Sequence, residues 1–278
     1  MKKTSYFKIG SGSRKGFVSK FQDKELKEII NQNKISKLRN KIITKSSENM
    51  NELIDNCISL TVTSPPYNIG KDSDEDLSDD EYWKMITKVF EEVYRVTESG
   101  GRLVVNVANL GRKPYIPFSK YFIEIILEIG FLMRGEIIWQ KSKGANANFA
   151  WGSWLSPSNP VIRDIHEYCL VFSKDSMKNS AKGEPTIEKD EFMESTLSIW
   201  NITPARAKKI GHPAPFPVEL PKRFINLYSF KNDLILDPFI GSGSTAIAAK
   251  LLDRDYIGYE LNPEYVKIAK NRLKNEAS

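Results

Sequence analysis

The sequence predicts an α/β fold in which helices cover both faces of a mostly parallel sheet that carries one antiparallel hairpin. Three observations predict it. Strand-like segments alternate with segments of helical periodicity along most of the chain, the pattern of crossover-connected parallel strands. A short apolar strand, "LILD", leads through a glycine turn into a helix and a further strand, "DYIGYE". Two other strand segments, "RGEIIWQK" and "HEYCLVFSK", are joined by a loop and are placed to pair antiparallel.

The elements follow in order. Residues 1–50 read as a basic, partly helical lead-in. They hold 13 Lys/Arg against 4 Asp/Glu, and "DKELKEIINQNKISKLRNKII" has Leu26, Ile29 and Ile30 at helical spacing. The main domain is expected over residues 51–278. It opens on the strand "CISLTVTS", rich in β-branched residues. "KDSDEDLSDDEY" is dense in acids and reads as a mobile surface loop. "EYWKMITKVFEEVYRVT" is an amphipathic helix that Gly100-Gly101 should end. "RLVVNVAN" is a strand and "SKYFIEIILEIGF" a helix, followed by the two hairpin strands. Residues 175–200 are polar and irregular and read as an insertion or connector. The helix "PFPVELPKRFINLYS" precedes "LILD"; "GSTAIAAKLL" and "NPEYVKIAKNRLKN" are the helices on either side of "DYIGYE".

Composition narrows the function classes. With 40% hydrophobic and 27% charged residues the chain is an ordinary globular protein. No apolar run approaches the roughly 18–20 residues of a membrane span. The basic start lacks the apolar stretch of a signal peptide. Cys57 and Cys169 lie far apart in strand-like segments, which disfavours a disulfide framework and a zinc site and fits a reducing cytoplasm. The net charge of +6 suits either a polyanionic partner or a solvated basic lead-in.

The first informative stretch is "LILDPFIGSGSTAIAAKLL". Gly241 and Gly243 let the backbone approach a ligand and take positive φ. The helix that opens at Ser244-Thr245 offers unpaired N–H groups. The next strand ends in Glu260, a carboxylate placed to accept both hydroxyls of a ribose. Gly241-x-Gly243-x-x-Ala246 also meets a loose dinucleotide fingerprint. Asp237 argues against that ligand, because a carboxylate at the strand end repels a pyrophosphate and suits a cationic or amino-bearing group. A Walker A loop is excluded, since no Gly-Lys-Ser/Thr follows the turn. A ligand with one ribose, an adenine and an amino-acid end is S-adenosylmethionine.

The second stretch is "LTVTSPPYNIG". Its β-branched run ends in Ser64-Pro65-Pro66-Tyr67, and proline removes backbone donors and ends strands. Alone, this is either a stiff turn or a rigid platform for a hydroxyl, carbonyls and an aromatic face. Together, "TSPPYNIG" and "DPFIGSGSTAIAA" with "YIGYELNPEY" resemble the catalytic and cofactor motifs of the amino-methyltransferases that modify exocyclic amines in DNA. The catalytic motif comes first, which resembles the circularly permuted, β-type order of that family. "GEIIWQKSKGANANFAWGSWLSPSNPVIRDIHEYCLVFSK" resembles the family's middle motifs. "GHPAPFPVELPKRFINLYS" resembles the motif that contacts the methionine end of the cofactor. The resemblance covers about residues 55–275 and leaves 1–50 unexplained.

The resemblance implies a Rossmann-like, S-adenosylmethionine-dependent methyltransferase. The catalytic residues would be Ser64, Pro65, Pro66 and Tyr67. The amine is out of reach inside a duplex, so the base is flipped out; Tyr67 stacks on it, and the Ser64 hydroxyl and Pro65 carbonyl accept from its amine. Cofactor contacts would come from Asp237, Pro238, Phe239, Gly241, Ser242, Gly243, Ser244 and Thr245 in the loop. Glu260, Leu261 and Asn262 follow the next strand, and His212 and Phe216 precede the loop. Asn68 either joins them or closes its own turn, and His212 either joins them or packs among prolines. No Pro-Cys dipeptide is present, which disfavours a 5-methylcytosine mechanism. The family's N4-cytosine enzymes usually carry Ser before Pro-Pro, and its adenine enzymes Asp or Asn. Ser64 therefore points to cytosine N4, with adenine N6 as the alternative. RNA or glutamine methylation and a non-catalytic DNA-binding module are the further alternatives.

The partner implied is double-stranded DNA, and some relatives pair with a restriction endonuclease; the chain would be a monomer or homodimer. Target recognition is expected in a short insertion at about residues 142–210. There, Trp151 and Trp154 line a base pocket or groove, or form a packed corner, packing being the expectation. Arg206, Lys208 and Lys209 either contact phosphates or are simply solvated. Trp139 is expected in the core.

Overall fold

A computed structural model describes residues 31, 33–67, 77–110, 114–141, 152–205, 210 and 216–277. The chain divides into two compact units, residues 1–38 and 39–278. In the first, the Leu38 N–H donates to the Ile35 carbonyl and the Ser36 hydroxyl to that of Asn33, both typical of a helix end.

The second unit is built on an eight-stranded sheet. Its strands are β1 (Lys41–Thr44), β2 (Ile58–Thr63), β3 (Thr97–Val107), β4 (Leu132–Gln140), β5 (His166–Ser173), β6 (Ile199–Asn201), β7 (Leu234–Asp237) and β8 (Asp255–Glu260). Their order is β1-β8-β7-β2-β3-β5-β4-β6. Only β5 is reversed, pairing antiparallel with both β3 and β4; every other junction is parallel. The expected hairpin is thus β4–β5. The helices of this unit are α1 (Asp79–Val96), α2 (Phe118–Ile129), α3 (Lys189–Ser195), α4 (Glu219–Tyr228), α5 (Ser244–Leu251) and α6 (Pro263–Glu276).

The sequence explains the central elements directly. β2 is buried at all six positions, as a parallel strand covered on both faces must be, hence its run of apolar and threonine residues. A capping box of Ser78 and Glu81 starts α1 two residues before the expected point, and Asp79 and Asp80 complement the helix dipole. Ile86, Val89, Phe90 and Val93 form its buried stripe. One apolar core joins β2 and β7 to α4, α5 and α6 through residues such as Val62, Ile235, Phe224 and Ile247. Trp139 is buried as expected, its indole N–H donating to the Ile202 carbonyl at 2.9 Å.

Four local expectations are corrected. Gly100-Gly101 do not end α1; the helix stops at Val96 and both glycines lie inside β3. There the pairing with β2 shifts register between Ile58 and Leu60, and Gly100 takes φ +77, so the pair serves an irregularity of the ladder. Residues 41–44 leave the lead-in to become edge strand β1, because "KIIT" finds open backbone groups along β8. The polar stretch 175–200 contains α3 and the start of β6; Ile199 and Trp200 pair parallel with β4. Cys57 lies just before β2 rather than inside it; it and Cys169 are free thiols. The expected acidic loop, through residue 76, lies outside the described residues. Among the described residues no helix is long and apolar enough to cross a membrane, and no cluster could hold a metal ion.

This topology creates one functional edge. β2, β3, β7 and β8 are parallel, so their C-terminal ends share a side of the sheet. Because β5 is reversed, its first residues and the last residues of β4 lie on that side too.

Candidate active site

Asp237 ends β7 on this edge and is 1% exposed. Its carboxylate accepts from the hydroxyls of Thr63 and Thr245, each at 2.7 Å, and from the Phe239 N–H at 3.1 Å. It thus ties the end of β2, the turn and the first residues of α5 into one unit. The strand-end carboxylate expected to suit a cationic or amino-bearing group is thus buried with three donors around it. Burial pushes its pKa up to about 6, against the pull of its three donors.

The glycine turn is packed tightly from behind. Gly241 and Gly243 have φ +47 and +85. Ser242 is nearly buried, and its carbonyl and hydroxyl accept from Arg272 of α6 at 2.8 and 3.1 Å. The Ser244 hydroxyl donates to the Phe216 carbonyl at 2.9 Å, so Phe216 braces the loop. Ser242, Ser244 and Thr245 are therefore committed to holding the turn. A Cβ on Gly243 would lie 2.9 Å from that of Ala269. Gly243→Ala should destabilise the fold by about 2–4 kcal/mol through backbone strain and overpacking together. A shift of the urea midpoint at constant m-value measures it, and an unchanged midpoint would refute the packing argument.

Glu260 ends β8 beside this turn. It accepts the Gly241 N–H at 3.0 Å and the Asn262 N–H at 2.8 Å. Burial raises its pKa, opposed by those backbone donors. A carboxylate has roughly four acceptor sites, so about two remain for a pair of ligand hydroxyls. Leu261, next in the chain, is 60% exposed and offers an apolar face. The Asn262 side chain caps α6, accepting from the Glu264 N–H at 2.9 Å, which leaves its backbone for any ligand. Pro238 is buried and Phe239 half-buried in the turn. Two carboxylates, one of them with acceptor sites free for a ribose, and an apolar face fit S-adenosylmethionine, whose reactive centre is cationic, and do not fit a pyrophosphate. Asn68 and His212 lie outside the described residues, as do Trp151, Arg206, Lys208 and Lys209.

The Pro-Pro segment adjoins this turn, linked to it by Thr63 at the end of β2. The Ser64 hydroxyl donates to the Asn106 carbonyl at 3.0 Å and also bonds the Tyr67 phenol, which leaves a lone pair on its oxygen to accept. The Pro66 carbonyl is taken by the Tyr82 hydroxyl at 2.7 Å, whereas no donor among the described residues occupies the Pro65 carbonyl. The Tyr67 phenol accepts the Ala108 N–H at 2.8 Å, and its ring meets Phe118 edge-on with centroids 6.0 Å apart. Burial, and then the charge of Glu167, hold that phenol well above its ordinary pKa.

Sequence reasoning missed the groups that hold this platform. Asn106 donates to Glu167 at 2.6 Å, and Glu167 also pairs with Lys141. Thus Ser64's acceptor is anchored to both strands of the hairpin. Trp83 packs against Phe118 behind Tyr82, at 5.4 Å between centroids. Glu167 lies in "HEYCLVFSK", Lys141 in "RGEIIWQK" and Asn106 in "RLVVNVAN", and only the antiparallel register brings Asn106 and Glu167 together. A cleft of about 530 Å³ lies at the other edge, near the start of β8, between Asn232, Lys250 and Tyr256. Its two acids are paired, Asp255 with Arg39 and Asp253 with Lys231, and it lies at the start of β8, opposite the edge that holds Ser64 and Asp237.

Comparisons with known proteins converge on one family. The family model of the N6/N4 DNA methylases matches residues 58–271. The type II methyltransferase M.MthZI of Methanothermobacter thermautotrophicus is 31% identical over 274 residues, covering 85% of this chain and 77% of the relative. The type II methyltransferase M.BglII of Bacillus subtilis is 30% identical over 251 residues, covering 85% and 69%. A Thermus thermophilus structure, assigned as a DNA modification methylase and complexed with S-adenosyl-L-methionine, is 27% identical. It superposes with a TM-score of 0.69, covering 85% of this chain and 94% of that one.

Proposed function

We propose cytosine N4 as the target of this chain, which belongs to the N6/N4 DNA methylase family and so is an S-adenosylmethionine-dependent DNA amino-methyltransferase. One observation carries the choice of base: the motif opens on a neutral hydroxyl, Ser64, whose proton is already given to Asn106. It meets an amine only as an uncharged acceptor, the group that the family's N4-cytosine enzymes usually place there.

When bound, S-adenosylmethionine supplies an electrophilic methyl group on a sulfonium. Glu260 would hold its ribose, Leu261 would flank the adenine, and the charge of Asp237 would favour the cationic end. Tyr67 stacks on the flipped base. Ser64 Oγ and the Pro65 carbonyl accept the two amine hydrogens, which aims the nitrogen lone pair along one line. No covalent attachment to the protein is required, and the rate comes from this positioning. Residues 142–210 would read the target sequence, and 1–50 would add basic grip on the duplex.

Nucleoside mass spectrometry of duplex DNA incubated with the protein and S-adenosylmethionine tests the reading. N4-methylcytosine is the expected product. N6-methyladenine would keep the family and overturn the role given to Ser64. Ser64→Ala should lower kcat by about tenfold, the loss of one oriented acceptor, with cofactor affinity unchanged.

A further inference from the structure

Within the β4–β5 connection, residues 152–160 form a small, internally closed loop. The Ser153 N–H donates to the Asn159 carbonyl at 2.9 Å, and the Asn159 N–H to the Ser153 hydroxyl at 2.7 Å. The Ser153 hydroxyl in turn donates to the Ser156 carbonyl at 2.7 Å. These bonds present Trp154 and Leu155, 68% and 87% exposed. The segment 152–162, "GSWLSPSNPVI", contains no charge. Leu155 also has φ +56, a strained conformation for a branched residue. A leucine both strained and exposed gains no burial from the fold, the pattern of a side chain held out for contact.

The place of this loop identifies the partner. Its connection leaves β4 and enters β5 on the edge that holds Ser64 and Asp237. Its root is clamped by the Lys141 N–H to the Ile165 carbonyl at 2.8 Å and by the Lys141–Glu167 pair. Glu167 holds Asn106, and Asn106 holds Ser64. The strand ends that carry this segment are thus joined to the base-binding motif through Lys141, Glu167 and Asn106. The segment's exposed large apolar side chains, Trp154, Leu155 and Ile162, are too few for a stable protein interface, which needs about 800 Å² per partner. They suit the gap between stacked bases, where apolar wedges insert.

We propose that Trp154 and Leu155 enter the base stack of the duplex and fill the space that the flipped base leaves. The inference rests on the DNA methyltransfer reading above. The wedge lowers the cost of extrusion, and an uncharged loop avoids competing for phosphates.

Leu155→Gly tests it without endangering the fold, because glycine relieves the positive φ; Trp154→Ala is the second variant. Each is assayed on a matched duplex and on one whose target base is mispaired, where extrusion costs little. On the matched duplex kcat/KM should fall roughly tenfold or more, and a fluorescent cytosine analogue paired with guanine at the target position should lose its flipping signal. On the mispaired duplex both variants should come within about threefold of the unmodified protein. Equal losses on both substrates, or no loss on either, would overturn the wedge. If the unmodified protein modifies no DNA base, the methyltransfer reading fails and the wedge fails with it. Activity of the unmodified protein with Leu155→Gly unaffected removes the wedge alone.

Discussion

Tyr67→Ala lowers kcat/KM on duplex DNA by about two to three orders of magnitude and leaves the dissociation constant for S-adenosylmethionine within a factor of about two. Stacking of one base on an aromatic ring is worth about 1–3 kcal/mol, which alone gives roughly 5- to 150-fold. Loss of in-line positioning adds to it, since the ring sets the plane in which the amine meets Ser64 and the Pro65 carbonyl. The structure fixes that plane firmly: Phe118 meets the ring edge-on, Ala108 binds its phenol, and Tyr82 pins the carbonyl of Pro66. Tyr67→Phe keeps the ring and strands one N–H, so it should cost about 1–2 kcal/mol of stability and far less activity. The phenol itself is no acid or base near neutrality, because burial keeps it protonated. Activity between pH 7 and 9 should then show no limb due to Tyr67, and the phenylalanine variant should share the profile. Turnover unchanged in Tyr67→Ala would sink the stacking role. Weakened cofactor affinity would move Tyr67 into the cofactor pocket instead.

What was legible in the sequence was whatever depends on local pattern. The alternation of elements, the glycine turn ending at Ser244-Thr245 and the reversed strand of the hairpin all follow from periodicity and turn residues. The two motifs were visible because each is a contiguous stretch. The supporting groups were not, because they come from long-range register. Thr63 meets Asp237 across 174 residues, and Asn106 meets Glu167 across 61. No spacing rule joins such pairs; only the parallel alignment of β2 with β7 and the antiparallel one of β3 with β5 does. The burial of Asp237 was not legible for the same reason. A strand-end carboxylate looks open in sequence, but two threonines and a turn amide close over it in the fold. Edge strand β1 was misplaced because a four-residue strand inside a basic, helix-like stretch has too little pattern of its own, and pairing with β8 decides it.

The burial of Asp237 makes a second result expected: Asp237→Asn binds S-adenosylmethionine roughly 30-fold more weakly, yet folds more stably at pH 7.5 by about 2–3 kcal/mol. The carboxyl titrates at about 6 in the folded protein against an ordinary 3.8. The folded state therefore holds the proton more tightly than the unfolded state. Its stabilising contribution is complete below about 3.8 and is lost as pH rises through about 6. At neutral pH the fold bears the cost of a buried charge, about 3 kcal/mol for a shift of that size. Asparagine keeps the shape, accepts from the Phe239 N–H and donates to hydroxyls that can rotate, so it removes the cost without breaking the clamp. The charge has a use only when a cation lies above the loop. A unit charge pair at contact near a protein surface is worth about 4 kcal/mol, and half of that is about 30-fold in affinity. Affinity for the cofactor should accordingly rise from pH 5 to 7, in the window where this group's contribution to stability falls. Isothermal titration and chemical denaturation of both proteins across that range read the two slopes. In Asp237→Asn this group's share of each slope should vanish. Equal cofactor affinity in the two proteins would reduce Asp237 to a structural clamp. An asparagine variant less stable than the parent at pH 7.5 would mean that the three donors require the charge.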